Sequence, residues 1–336
     1  MSSIATTTAT ADGTAAGTLK LRGQELELGD QFPELKSRGW TVVKNAIPEA
    51  RAKEYEDKAY KWLESYGKGY SKDDRSTWKV ANLPAFNKGG LFNRNACHHE
   101  QWVWDIRTEQ GVIDQFAKIW GTDELLVSFD GVNVSLPFDK EEMGDRAKAW
   151  PHVDQSPNRR HLHCVQGIVN LAENGPNDGG LTVLEGSLPL YSEFFDTHAD
   201  QMPPEGWSWK DSHGFSEEDI NWFLERGCKW HKIEAGPGDV ILWDSRSIHY
   251  GAAAMGDRPR VATYVCYKPA RDITPEKLAE KTNAVKEYIG SSHDPVNFHL
   301  TGTKIYGPLS PDERLEPIQP AVLSKKAQKL AGVLAY

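Results

Sequence analysis

The sequence predicts a mixed α/β fold that is mainly β, and three observations carry that reading. From Glu124 to Tyr267 the chain alternates runs rich in Val, Leu, Ile and Phe with breaks of Gly, Pro, Asn and Asp, the grammar of strands and turns. Two stretches with helical spacing of apolar residues come before it. No run approaches the roughly 18 to 20 apolar residues of a membrane span, so these side chains must be buried in a protein core. The 336 residues are read as one domain over 19–336, since barrels of this size often fold as a single unit. Residues 1–18, rich in Ala, Thr, Ser and Gly and lacking Lys or Arg, read as a disordered tail with neither signal-peptide nor transit-peptide character.

Each element follows from its pattern. Pro48 opens a helix whose Ala52, Tyr55, Ala59 and Trp62 form one apolar stripe among Lys and Glu. Trp102, Ile106, Ile113, Phe116 and Trp120 recur at helical spacing, which predicts a second helix from about Gln101 to Trp120, ended by Gly121. Strands are expected at Leu125 to Leu136, Leu162 to Leu171, Leu181 to Leu184, Val240 to Trp243 and Val261 to Tyr267, with the helices buttressing the sheet. Between the third and fourth of these runs lies a long excursion, about 187–229. It contains a capping box at Ser216-Glu217-Glu218-Asp219 for a short helix closed by Gly227, and its length suits a lid over a barrel. The apolar terminus Leu330 to Tyr336 is either docked on the body or folded over the active site.

Composition narrows the function. A net charge of −9, with no Lys or Arg run longer than a pair, makes nucleic acid and anionic membrane poor partners and leaves a small-molecule substrate. The four cysteines, Cys97, Cys164, Cys228 and Cys266, lack metal-site spacing and fit reduced thiols in a cytoplasmic protein. Oligomeric state is left open by the sequence, with a homodimer as one option.

The chemistry is concentrated in His152, Asp154 and His249. A strand turns alternate residues to one face, so His152 and Asp154 reach one ion while Val153 points away. His249 stands 95 positions after Asp154 beyond a second apolar run. Two histidines and one carboxylate make the face that holds Fe(II) and leaves positions open for other ligands. Arg258 and Arg260, nine and eleven residues past His249, are both placed to clamp the far carboxylate of a keto acid such as 2-oxoglutarate. Arg159, Arg160, His161 and His163 are candidates for a positive substrate entrance, although a solvated loop leading into a strand accounts for them as well. His98-His99-Glu100 imitates a metal cluster but lies outside these motifs.

These residues carry a family resemblance. Trp150-Pro151-His152-Val153-Asp154-Gln155-Ser156, the Gly-rich turn from Asn174 to Ser187, and Pro237-Gly238-Asp239 leading through Trp243 to His249 resemble the phytanoyl-CoA dioxygenase family in order and spacing. Gly39 to Pro48 followed by a helix resembles that family's opening, so the likeness spans roughly residues 30 to 270. The resemblance implies a double-stranded β-helix, a jelly-roll or cupin-like core. It also implies Fe(II) held by His152, Asp154 and His249, with 2-oxoglutarate and O2 as co-substrates, but not phytanoyl-CoA as substrate. It favours Arg260, at a strand entry, over Arg258 for 2-oxoglutarate, and makes Thr182 a candidate hydroxyl donor to it. Some relatives carry a Lys near the position of Ser135 that touches 2-oxoglutarate; here the strand carries only Asn133 and Ser135. The Asp154 carboxylate fills the place that halogenating relatives leave open for chloride, which favours oxygenation.

The expected activity is oxidation of an unactivated C–H bond of a small, carboxylate-bearing molecule, in secondary or amino-acid metabolism, with release of succinate and CO2. Two other classes remain on sequence grounds: a non-catalytic barrel that binds metal or 2-oxoglutarate, and a cupin-type metal-dependent hydrolase or isomerase. Sites of the latter kind usually gather three or more histidines.

Overall fold

The computed structural model describes residues 32–138, 140–301 and 313–336; the tail expected at 1–18 lies outside the described residues. Two antiparallel sheets face each other. The larger has six strands in the order β1 (Trp40–Val43), β10 (Val240–Asp244), β6 (Val165–Asn170), β12 (Arg260–Val265), β4 (Val132–Ser135) and β2 (Leu91–Phe92). The smaller has five: β8 (His213–Gly214), β5 (His152–Val153), β11 (His249–Ala252), β7 (Gly180–Glu185) and β9 (Lys229–Lys232). A further pair, β3 (Leu125–Val127) with β13 (Tyr267–Pro269), extends the structure to one side. This is a double-stranded β-helix flanked by helices.

Strand alternation divides the apolar residues into layers. Ile168, Ile241, Trp243, Leu181 and Val183 meet between the two sheets. The opposite face of the larger sheet, through Val132, Val134, Val261 and Val265, packs on helices Glu49–Glu64 and Gln110–Trp120, which contribute Ala52, Tyr55, Phe116 and Ile119. Central strands are therefore buried on both faces, which explains their near-continuous apolar runs.

The long helix expected from Gln101 to Trp120 is two helices, Gln101–Arg107 and Gln110–Trp120. At the break the Thr108 hydroxyl donates back to the Asp105 carbonyl. Glu109 is extended, and its carboxylate accepts from Arg51 and from the Tyr55 hydroxyl of helix Glu49–Glu64. Side-chain competition of this kind ends a helix that periodicity alone would continue. The run from Leu125 to Leu136 likewise divides into β3 and β4. Between them the Gly131 N–H donates to the Asp130 carboxylate at 2.6 Å, and the Gly131 carbonyl accepts from Tyr264 N–H at 3.1 Å.

The excursion at 187–229 folds as helix Ser187–Thr197, β8 and helix Glu217–Glu225, with the expected capping box formed at Ser216 and Asp219. It has its own apolar cluster, where Tyr191, Phe194, Phe195 and Phe223 pack against Val153, Leu184 and Ile248 on the outer face of the smaller sheet. The C-terminal segment is docked on the body. Leu330 and Ala331 are buried, and the Tyr336 hydroxyl donates to the Leu125 carbonyl at 2.6 Å.

Candidate active site

Two strands of the smaller sheet bring the three expected ligands together. His152 of β5 and His249 of β11 are partners in register. Asp154 follows β5 directly, its N–H donating to the Ser245 carbonyl in the turn that leads from β10 to β11. Its two carboxylate oxygens lie 3.5 Å from His152 Nε2 and 3.3 Å from His249 Nε2. Ligands at right angles, each about 2.1 Å from an ion, stand about 3 Å apart, so these spacings suit a facial set on one ion.

The surroundings orient each candidate ligand. His152 Nδ1 bonds the Trp150 carbonyl and His249 Nδ1 bonds the Ser247 carbonyl, both at 2.9 Å. A carbonyl accepts only from an N–H, so both Nε2 atoms are left with a lone pair for a metal. The Gln166 amide donates to Asp154 Oδ2 at 3.0 Å. Trp150 stacks on the His152 ring at 3.7 Å, and Trp243 meets the His249 ring nearly edge-on at 5.5 Å. Burial, with a smaller contribution from His249, pushes the His152 imidazole down to about 4, so it is neutral where an enzyme works. Burial alone would raise the Asp154 carboxyl, but His152 and His249 outweigh it and hold that group well below the usual carboxylate range.

A cavity of about 290 Å³ opens over these three residues. Along β12, Arg260, Ala262 and Tyr264 face it in turn, opposite Ser135, Asn133 and Gly131. Arg260 is only 3% exposed and stands at one end of the row. Gly180 makes room for it: a Cβ there would come within 2.8 Å of the Arg260 Nε, at a φ of +106° that other residues rarely adopt. Arg258, with 52% of its side chain exposed, turns outward to Asp178 at 2.6 Å and braces the Gly-rich turn. Thr182 is on the opposite face of β7 from Leu181: Leu181 lines the cavity, while the Thr182 hydroxyl is hydrogen-bonded to Tyr250. This corrects the expectation for Thr182, because the period of two gives the wall position to its neighbour.

The positive entrance expected from Arg159 and Arg160 does not form. Arg159 is buried against Asp211 at 2.8 Å, and Arg160 bonds the Ser192 carbonyl and lies over the Phe195 ring. His163 belongs to a buried ion-pair network, 3.0 Å from Asp294, which also holds Lys268 at 2.9 Å. His163, Asp211 and Asp294 come close enough to suggest a second metal, but Lys268 and Arg159 already neutralise both carboxylates. His98, His99 and Glu100 are likewise structural. His99 Nε2 bonds the Ile289 carbonyl, and Glu100 accepts from Ile318 and Gln319 N–H.

Lys88, which the sequence reading missed, brings to the cavity a cation that β4 itself does not carry. The Ser135 hydroxyl donates to the carbonyl of Gly89, which sets Lys88 at the cavity with its ammonium 4.6 Å from the centre of the Trp150 ring. Lys88 adopts a left-handed backbone at φ +48°, a sparsely populated state for a side-chain-bearing residue that often marks function. Nothing in the local pattern of Asn87-Lys88-Gly89-Gly90 announces this; only the pairing of β2 with β4 brings it there.

Comparison with known proteins agrees with the fold. The Ava biosynthesis cluster protein O of Aspergillus versicolor is 40% identical over 269 residues, which are 80% of this chain and 86% of that protein. A putative phytanoyl-CoA dioxygenase of Dictyostelium discoideum is 21% identical over 299 residues, 78% of this chain and 81% of its own length. Among solved structures, the GlcNAc Inducible Gene 2 protein of Candida albicans superposes with a TM-score of 0.60 at 12% identity, over 97% of this chain and 78% of that one. A hypothetical protein of Escherichia coli gives 0.56 at 14%, over 94% and 88%. At such identity these two structures speak to the fold alone. No family model matches the chain.

Proposed function

Because the chain belongs to the phytanoyl-CoA dioxygenase-like family of Fe(II)- and 2-oxoglutarate-dependent oxygenases, we propose that His152, Asp154 and His249 hold its iron and that Arg260 anchors its 2-oxoglutarate. The convergence of the three ligand atoms, with both histidines committed through Nδ1 to carbonyls, is the observation that carries this assignment. The protein is an enzyme that oxidises a small molecule with O2. When bound, Fe(II) and 2-oxoglutarate supply the oxidant, with decarboxylation to succinate and CO2.

The chain's residues do the positioning. Gln166 fixes the rotation of the Asp154 carboxylate, so that its oxygens stay directed at the two histidines. Arg260 presents a guanidinium fork in a dry corner of the cavity, where a paired carboxylate is held strongly. Lys88, beside that corner, gives the keto acid a second cation, and Ser135 holds the Gly89 carbonyl that seats it. Ile168, Leu181 and Trp243 supply apolar wall and keep bulk water from the reacting C–H bond. Free thiols at all four cysteines support a cytoplasmic setting. The kinship with a protein named for a biosynthesis cluster supports a role in secondary metabolism.

The test is anaerobic addition of Fe(II) and 2-oxoglutarate. The expected result is a metal-to-ligand charge-transfer band in the native protein that is absent from His249→Ala, and succinate formation once O2 is admitted. A band of full strength in His249→Ala would overturn the ligand assignment.

A further inference from the structure

At the end of the cavity away from Arg260, two polar side chains have no use in holding iron or keto acid. Asp130 sits in the turn between β3 and β4, and His293 in the loop after helix Pro275–Lys286. Register separates the two ends. Arg260 pairs with Ser135, whereas Asp130 precedes the other end of the same strand, roughly 10 Å or more away at the usual rise per residue. One Asp130 oxygen accepts from the Gly131 N–H, and the other has no hydrogen bond among the described residues. Arg107, buried behind it, donates to the Asp130 carbonyl at 3.0 Å and not to its carboxylate. His293 Nε2 is buried and equally without a partner. A buried ring nitrogen without a partner costs folding free energy, and the second Asp130 oxygen opens onto the same cavity, so this end of the wall offers a guest two polar contacts.

The cavity also continues outward past this end. A second chamber of about 410 Å³, bordered by Trp209 and Phe298, shares Lys210, Asp211, Ser292, His293 and His299 with the inner one. A guest held at His293 therefore spans a neck between two chambers. Asn297 closes one side of it by donating to Asp211 at 3.1 Å, which links the 291–299 loop to the excursion.

We infer that Asp130 and His293 form the substrate-recognising pair, selecting an extended molecule that brings an N–H or O–H donor into this neck and disfavouring a carboxylate there. The inference rests on the reading of the inner chamber as the oxygenase site. It replaces the carboxylate-bearing substrate expected from Arg159 and Arg160, whose charges are spent on Asp211 and on the excursion. A site whose cavity-facing acceptor needs a donor rejects analogues lacking one more strongly than an apolar pocket rejects a change of size.

The experiment uses two probes matched in size, 2-phenylethylamine and 3-phenylpropionate. Each is titrated anaerobically into protein loaded with Fe(II) and 2-oxoglutarate while perturbation of the charge-transfer band is followed. The amine should saturate at a concentration roughly ten-fold or more below the acid, the scale of a hydrogen bond to a buried charge. Asp130→Asn should reduce that preference to within about three-fold, and His293→Phe should weaken the amine by about five-fold or more, with the band itself still formed in both. Equal or tighter binding of the acid, no response to the amine, or full preference retained in Asp130→Asn would overturn the inference. Failure of the band to form in the native protein would instead strike the oxygenase site reading itself.

Discussion

His152 and His249 face one another as a register pair across β5 and β11, their ring centres 4.3 Å apart. This relation explains why the site needs so little sequence. A directly opposed antiparallel pair fixes two side chains on one face without any loop between them. Asp154, proposed as the third ligand, comes two residues along from His152 on the same chain segment. Trp150 and Trp243 then clamp the two rings from outside, so the imidazoles are oriented before any metal arrives.

His152→Ala, Asp154→Ala and His249→Ala should each lose Fe(II) retention and succinate formation while keeping near-native thermal stability. The three side chains line a cavity and carry little of the apolar packing. Iron content after gel filtration and a melting curve decide it; retention of stoichiometric iron by any of the three would remove that residue from the ligand set.

Arg260→Ala should weaken 2-oxoglutarate by about 2 to 4 kcal/mol, the scale of truncating one partner of a buried hydrogen-bonded charge pair. Lys88→Met should weaken it less, since the ammonium also rests on the Trp150 ring. Arg258→Ala should leave the requirement nearly unchanged, because that guanidinium is half exposed on Asp178. The measurement is the 2-oxoglutarate KM of each variant, and a larger effect at Arg258 than at Arg260 would reverse the assignment.

What was legible follows from which constraints are local. The pairing of His152 with Asp154, the helix after Pro48 and the capping box at Ser216 depend on neighbours within a few residues, so pattern alone points to them, whereas His249 joins only through its register with β5. The break at Thr108 depends on Glu109 reaching Arg51 and Tyr55, some 55 residues away in sequence, which periodicity does not register. Lys88 and His293 enter the cavity through pairings that no short window contains. Arg159 misled for a related reason. Its charge is exposed in the sequence but cancelled in space by Asp211.

The buried network of Lys268, Asp294 and His163 makes a stability prediction with a pH sign. Burial opposes ionisation, but Lys268 and His163 hold the Asp294 carboxyl well below its ordinary range. A depressed carboxylate contributes stability that is present above its unfolded value, about 3.9, and lost as pH falls toward the folded one. Lys268 is raised by Asp294 against its burial, so its contribution is present below its own unfolded value and lost at higher pH. Asp294→Asn or Lys268→Met alone should cost about 3 to 5 kcal/mol by leaving one buried charge unpaired. The double variant should recover much of that and lose stability less steeply below about pH 4. Additive losses in the double variant would show that the two groups do not compensate one another.

The C-terminal segment gives the last prediction. Helix Lys325–Leu330 packs on β3, Ala331 is fully buried, and the Tyr336 hydroxyl reaches the Leu125 carbonyl at the start of that strand. None of these residues lines the cavity over His152, so the segment acts as packing and not as a cover. Removing 331–336 should therefore cost about 1 to 3 kcal/mol and lower the melting point by several degrees. The ratio of succinate formed to substrate oxidised should not change. β3 does lead directly through Ser128 and Phe129 to Asp130, so a loosened strand has one route to the site. If truncation releases succinate without matching substrate oxidation, the tail acts along that route, and Asp130 is where the damage arrives.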